Sequence, residues 1–492
     1  MALLGAAAGF YLWYRGEVSS SNARVSPDII AALEEHATSL TQASPASSST
    51  SIGATTTVTV PPAPGSMNLV ILGSDTRAKN GKGGRSDTII LVHVDPTNDF
   101  LSMLSIPRDL RVRIPGHGYN KINAAYAFGG PALVIRTVQS ALGVDLDHYA
   151  ETDFGGFKAI ADALGGVYVD VDRTYDDGKV QLPPGYQLLD GQNALRFCRT
   201  RHDRNIDFGR MQRQQRFISA VREQAMGWDL AFKLPSLISS VFGNVDTDLS
   251  ANEILKLAWW AVKLDGSRMK MASIVTATGT INKISFVLAT NKQIDSAVRD
   301  FLTPPVAGAT KTEVLSAQQQ SLAAQKLLPA KAGPLLNADA WRKLAATVDF
   351  ALVAPTYLPP RCVYTYQRSY SLQVGGKTLP AIRVGYRLAH KDQYLGIGET
   401  TWLEAPLASP GRQMKMGDVI YTLVGTSTKT DHVWWIKDGV LCWVANTLMY
   451  ELSREQLLAV ALSATPVESA GESTTTAAPN TAAPVTSTTS SE

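Results

Sequence analysis

Three apolar runs of strand length lie between residues 68 and 109, and each meets charge at one end: "NLVILGSD", "DTIILVHVD" and "FLSMLSIPRD". Runs of this kind read as buried strands, which need other layers to cover them. Pro96-Thr97-Asn98-Asp99 is turn chemistry and joins the second run to the third. Helical patterns follow in "NKINAAYAFGG", "PALVIRTVQSALG" and "FGGFKAIADALGG", each closed by glycine as a helix C-terminus prefers. Strands mixed with helices of this length predict an α/β layer architecture. Asp75 ends the first strand, Arg85 and Asp87 open the second, and Arg108 with Asp109 ends the third. If these strands are neighbours, their ends meet at one rim, where open α/β sheets bind ligands.

A second concentration of charge stands further on. Residues 196–216 carry seven arginines, no lysine and two acidic residues. Over the whole chain Lys+Arg (46) nearly balances Asp+Glu (43), which excludes a generally basic nucleic-acid binder and makes the cluster a local feature. A planar fork of donors suits bidentate binding of phosphate oxygens better than a point charge does, whereas the plain alternative is a solvated helix face. Asp75 and Asp87 among arginines, without a His or Cys cluster, form a hard-oxygen site suited to magnesium bridging phosphates rather than to zinc. The alternative for both aspartates is that they cap turns. No P-loop, nucleophile elbow or zinc spacing occurs, and Cys198 reads as a small buried hydrophobe rather than a nucleophile.

"NLVILGSDTR", "GRSDTIILVHVD", "LSIPRDLRVRIPGHGYNKINAAYAFGG", "LDGQNALRFCRTRHD" and "DFGRMQRQQ" occur in that order. Together they resemble the LytR-CpsA-Psr family of cell-wall phosphotransferases, over about Asn68 to Pro304. The resemblance implies a bacterial, membrane-anchored enzyme with a central mixed sheet flanked by helices. It implies transfer of a phospho-linked glycopolymer from a polyprenyl pyrophosphate carrier to a hydroxyl of peptidoglycan. Carried over residue by residue, the metal-binding acids are Asp75 and Asp87, which would hold Mg²⁺. Arg85, Arg108, Arg199, Arg201 and Arg210 join them as catalytic groups, and Asp207, Arg213 and Gln214 complete the substrate-binding set. Asp75 is also the candidate acceptor of the hydroxyl proton. A long prenyl chain would need an elongated apolar cavity near the arginines, lined by helices between Ala124 and Val221. A polyprenyl pyrophosphate hydrolase, and a surface receptor or regulator holding anionic glycan without catalysis, remain alternatives.

The remaining segments suggest an exported chain. Residues 1–16, "MALLGAAAGFYLWYRG", read as part of a membrane anchor, with Tyr11, Trp13 and Tyr14 before Arg15 as an interfacial belt. A single-pass anchor with the catalytic domain outside the cytoplasm follows, a signal peptide being the competing reading. Residues 17–66 are expected as a stalk, 67–304 as the catalytic domain and 305–334 as a linker. Residues 335–464 read as an α+β module, with Val-Gly-Gly-Lys as a hairpin turn and Ser453 to Gln456 as a capping box. Residues 465–492 read as a disordered Ser/Thr/Pro/Ala tail. In an oxidising compartment Cys362 and Cys442 are expected to pair.

Overall fold

The computed structural model describes residues 14–35, 65–74, 84–176, 178, 180–200, 206–225, 238–305, 313–314, 327–329, 336–388, 393–426 and 429–467. The three apolar runs become β1 (Met67–Ser74), β2 (Ser86–Asp95) and β3 (Phe100–Ser105), an antiparallel meander. A hairpin of β4 (Arg111–Ile114) and β5 (Gly118–Lys121) follows. Next come β6 (His148–Asp153), parallel to β1, and a separate ribbon of β7 (Val167–Val171) and β8 (Gly185–Leu189). With β9 (Val245–Thr247) and β10 (Met269–Ser273) the mixed six-stranded sheet has the order β9-β6-β1-β2-β3-β10.

Helices cover both faces, as the buried strands required. On one side α1 (Pro27–Glu34) and α2 (Ala124–Leu142) pack on Val70, Leu72, Ile89, Leu91 and Leu104. Gly129 and Gly130 leave helical geometry and kink α2 where the sequence placed a helix end, and Gly143 caps it at φ 65°. Then come α3 (Phe154–Ala163), α4 (Gly191–Arg199), α5 (Ile206–Ala225), α6 (Ala251–Lys263) and α7 (Asn291–Leu302). The other sheet face presents Ile90, Val92, Val94 and Met103, met by Ile218 of α5 and by Leu257 and Trp260 of α6. Leu69, Ile71 and Leu101 on that face are only half-buried.

The stalk reading fails over residues 17–35. Residues 14–22 are helical and bury Tyr14, Val18 and Ser21, while α1 buries Ile29 and Ala32. Apolar residues three or four apart give each helix a face to bury, and that spacing outweighs the polar average. Tyr14 is not at an interfacial belt: its hydroxyl donates to Ala251 O at 2.9 Å and its ring meets Phe242 edge-on. Tyr11 and Trp13 lie outside the described residues, among which no helix is long and apolar enough to cross a membrane.

Two short pieces of the expected linker join the C-terminal module. Leu328–Pro329 pairs with Tyr357–Leu358, and β11 (Glu313–Val314) adds to the edge of the main sheet. That sheet contains β12 (Cys362–Val374), β13 (Lys377–Leu388), β14 (Gln393–Thr400) and β15 (Arg412–Met416). It is completed by β16 (Val419–Gly425), β17 (Thr430–Lys437) and β18 (Val440–Ala445), in the order β11-β15-β16-β17-β18-β14-β13-β12. The core includes Trp341 of α8 (Ala338–Ala345) and Leu457 of α9 (Arg454–Leu462), whose N-terminus is the expected capping box. Gly375 and Gly376 turn the β12–β13 hairpin at positive φ.

The disulfide is a correction. Cys362 and Cys442 are buried free thiols on β12 and β18, and β13 and β14 stand between these strands. Three strand spacings separate them by about 14 Å along the sheet, beyond the reach of a disulfide. Burial pushes the Cys198 and Cys362 thiols up to about 12, and Cys442 also lies well above the usual thiol range. We therefore expect all three to resist a thiol reagent until the chain unfolds, and Cys198→Ala to leave activity close to wild type. Rapid labelling of the native protein would contradict this.

The module packs on the first domain through an apolar cluster that joins Tyr168 and Tyr186 to Leu372, Leu407 and Trp443, and through polar contacts. Arg383 Nη1 and Trp443 Nε1 each lie 3.0 Å from Asp170 Oδ2, and Arg368 Nη1 donates to Pro184 O at 2.8 Å. Burial, together with Asp431, pushes the Glu223 carboxyl of α5 up to about 8. The folded state therefore keeps a proton that the unfolded chain loses near pH 4.5, so stability falls as pH rises through about 8 and levels off above it. Glu223→Gln should raise Tm relative to wild type by an amount that grows from pH 5 to pH 8. A difference independent of pH would refute this.

Candidate active site

The register of the meander builds the rim. Ser74 is the Cα partner of Ser86, and Ile90 is the partner of Ser105, so the end of β1, the start of β2 and the end of β3 lie side by side. Asp75 follows Ser74 in the chain and lies outside the described residues. Arg85 is exposed next to the rim. Asp87 Oδ1 accepts from Arg108 Nη1 at 2.8 Å, with each side chain 15% exposed. Arg108 stands in the turn after β3, clamped by buried Ile106 and Leu110, and its carbonyl accepts from Asn123 N. Asp109, the other acid of that turn, faces Lys121 Nζ at 3.1 Å.

The arginine-rich segment reaches this rim through α5. Gln214 Nε2 donates to Thr88 Oγ1 at 3.0 Å, and Gln215 Nε2 lies 3.3 Å from Ser105 Oγ. Strand residues alternate between faces, so Thr88 and Ser105 share a face with Ile90, Val92 and Met103. That face is thus polar at the rim and apolar below it, and α5 follows the same gradient from Gln214 to Ile218. Asp87 is the extra residue where the register shifts between Ser86 and Thr88, and this irregularity at the rim is where its carboxylate meets Arg108.

The arginines do not all stand alike. Arg199, at the end of α4, lies 4.1 Å over the Phe154 ring. Arg210 is buried on α5. Arg213 is fully buried, donates to Thr200 O and lies 5.2 Å over the Tyr175 ring. Arg213 thus ties α5 to the end of α4, where the sequence had offered it as a substrate ligand. Arg201 lies outside the described residues, and Asp207 is in α5 with its side chain outside them.

Sequence reasoning missed three participants. Lys121 and Thr88 could have been suspected from their place beside the motifs. Tyr126 could not: its hydroxyl donates to Glu151 Oε1 at 2.5 Å across the end of β6, with burial pushing it above the usual phenol range. Among the described residues no three His, Cys, Asp or Glu groups gather as a metal site. Magnesium is commonly held by one or two carboxylates with phosphate oxygens, and the half-buried Asp87 at this rim fits such a donor set.

The LytR_cpsA_psr family is matched over residues 31–300. The polyisoprenyl-teichoic acid–peptidoglycan teichoic acid transferase TagU of Oceanobacillus iheyensis is 34% identical over 238 residues, 46% of this chain and 73% of that protein. The regulatory protein MsrR of Staphylococcus aureus is 35% identical over 195 residues, 39% of this chain and 59% of that protein. Among solved structures, Bacillus subtilis YwtF (TagT) with bound octaprenyl pyrophosphate lipid is 28% identical, covering 48% of this chain and 88% of that one at a TM-score of 0.38.

Proposed function

The chain belongs to the LytR_cpsA_psr family, and we propose that it transfers a phospho-linked glycopolymer from a polyprenyl pyrophosphate carrier to a hydroxyl of peptidoglycan. The observation that carries this reading is the gradient on one sheet face. The Gln214 and Gln215 amides and the Arg108–Asp87 pair stand at the rim, and a half-buried apolar surface continues from it under α5 and α6. An amphiphile with an anionic head and a long hydrocarbon tail matches that order of surfaces. The name of the Oceanobacillus relative, a teichoic acid transferase, points the same way. The prenyl chain would lie along Leu69, Ile71 and Leu101, with α6 as a wall beyond the helices expected from sequence.

In this reading Arg108, Arg199, Arg201 and Arg210, joined by Arg85, neutralise the pyrophosphate and the charge that develops on the transferred phosphoryl group. Arg213 keeps the end of α4 and the start of α5 in register, and Gln214 seats α5 on Thr88. The acceptor hydroxyl attacks the sugar-proximal phosphorus in line, and prenyl phosphate leaves. Asp75 takes the hydroxyl proton. Asp75 and Asp87 would hold Mg²⁺, which would supply charge neutralisation at the phosphate oxygens. The chain works at the outer face of the cell membrane, tethered by its apolar N-terminal residues.

The test is incubation of the purified chain with a labelled polyprenyl pyrophosphate glycan and a peptidoglycan fragment. Glycan joined to peptidoglycan is the expected product. Release of free phosphorylated glycan would mean that water is the acceptor and the protein a hydrolase. Unchanged lipid would leave a glycan-holding receptor.

A further inference from the structure

The helix that carries the rim residues also carries a second face. Arg216, Ala220 and Glu223 recur at helical spacing along α5 and line a small cavity opposite Asp431, His432 and Trp443 of the C-terminal module. Arg216 lines the cavity with Asp431 and interacts electrostatically with Tyr450, whose hydroxyl donates to Asp431 Oδ1 at 2.6 Å. Burial works against the charge on Arg216, and Asp431 and Tyr450, with Asp170 and Asp172 of the first domain, more than offset it, so the guanidinium stays cationic. A buried charge is tolerated only in the position where its partners meet it. The family match ends at residue 300, so Asp431 and Tyr450 come from outside it, whereas Asp170 and Asp172 lie within it.

We propose that the C-terminal module is a positioning element for α5, in which Asp431 and Tyr450 hold Arg216 and thereby set where Arg210 and Gln214 stand at the rim. This rests on the transfer reading above for its effect on rate, though not for its effect on the helix. The three residues lie within two turns of one helix, and a helix moves nearly as a rigid rod over that length. Displacing a catalytic group by about 1 Å can cost on the order of a hundredfold in rate. The sheet seats α5 through Gln214 and Gln215, and the ribbon packs on Phe217, bonds Gln224 and brings Tyr168, Asp170 and Tyr186 to the same cavity, where the module adds Asp431, His432 and Trp443.

The experiment uses the full chain and three variants. Asp431→Asn removes the charge, and Tyr450→Phe removes only the linking hydroxyl, so it keeps the test alive if the first variant does not fold. Arg368→Ala cuts an interface contact to Pro184 that does not touch α5. Each is read by kcat and KM for the labelled lipid donor and by amide hydrogen exchange in α5. Asp431→Asn is expected to lower kcat about tenfold or more with KM little changed, and to speed exchange in α5. Tyr450→Phe should do the same to a smaller extent, and Arg368→Ala should do neither. Wild-type exchange in α5 of the folded Asp431 or Tyr450 variant overturns the proposal, as does an equal loss in Arg368→Ala. If the wild-type chain transfers nothing to peptidoglycan, the transfer reading fails, and the exchange result alone decides the role of the module.

Discussion

Arg108→Ala is expected to lower transfer by about a hundredfold to a thousandfold, the size seen when one donor to a developing charge is removed, while the protein stays folded. The rate falls because this guanidinium sits at the rim, 2.8 Å from Asp87, where a phosphoryl group would gather charge. The fold survives because the turn is held elsewhere. Ile106 and Leu110 on either side are buried, Leu110 N donates to Pro107 O, and the Arg108 carbonyl keeps its bond from Asn123 N, all independent of the side chain. Arg108→Lys keeps the charge but loses the fork, so its activity should fall between the two. Steady-state transfer and thermal unfolding measured on the same preparations check this. An alanine variant that transfers as fast as wild type would remove Arg108 from the site.

Removing divalent metal is expected to stop transfer almost completely, and adding Mg²⁺ back to restore it. Several negative oxygens must be brought together for in-line attack, and a bound divalent ion contributes several kcal/mol of charge stabilisation. Asp87→Asn keeps the shape of the side chain and removes its charge, so it should demand far more Mg²⁺ for half of its maximal rate. Titrating Mg²⁺ into chelated wild type and variant distinguishes the possibilities. Full transfer in excess chelator would mean that the arginines neutralise the pyrophosphate unaided, and Asp87 would then serve to orient Arg108.

The rim is legible in the amino-acid sequence because its makers are local. A strand-length apolar run followed by Gly73-Ser74, a four-residue turn at 96–99 and the Ile106-Pro107-Arg108-Asp109 ending each act within a few residues. A tight turn between β2 and β3 then leaves an antiparallel meander as the ready pairing. The hairpin at Gly375-Gly376 and the helix start at Ser453 are readable for the same reason. Composition misleads over residues 17–35, where the spacing of Val18, Ile29 and Ala32 matters and the average does not.

The sequence by itself determined the strands, the turns between them and the chemistry available at their ends, since these follow from side-chain period and turn preference over short stretches. Only the tertiary structure decided which arginine faces what. Arg210, Arg213 and Arg216 are chemically identical and three residues apart, yet Arg213 closes on Thr200 and Arg216 turns to Tyr450. The neighbours of a helix come from chain tens or hundreds of residues away, and here one of them belongs to another module. The same holds for Cys362 and Cys442: both are buried in one core, but the order of strands set two others between them. Strand order is settled by how layers pack and chains cross over, a long-range balance that no local pattern carries.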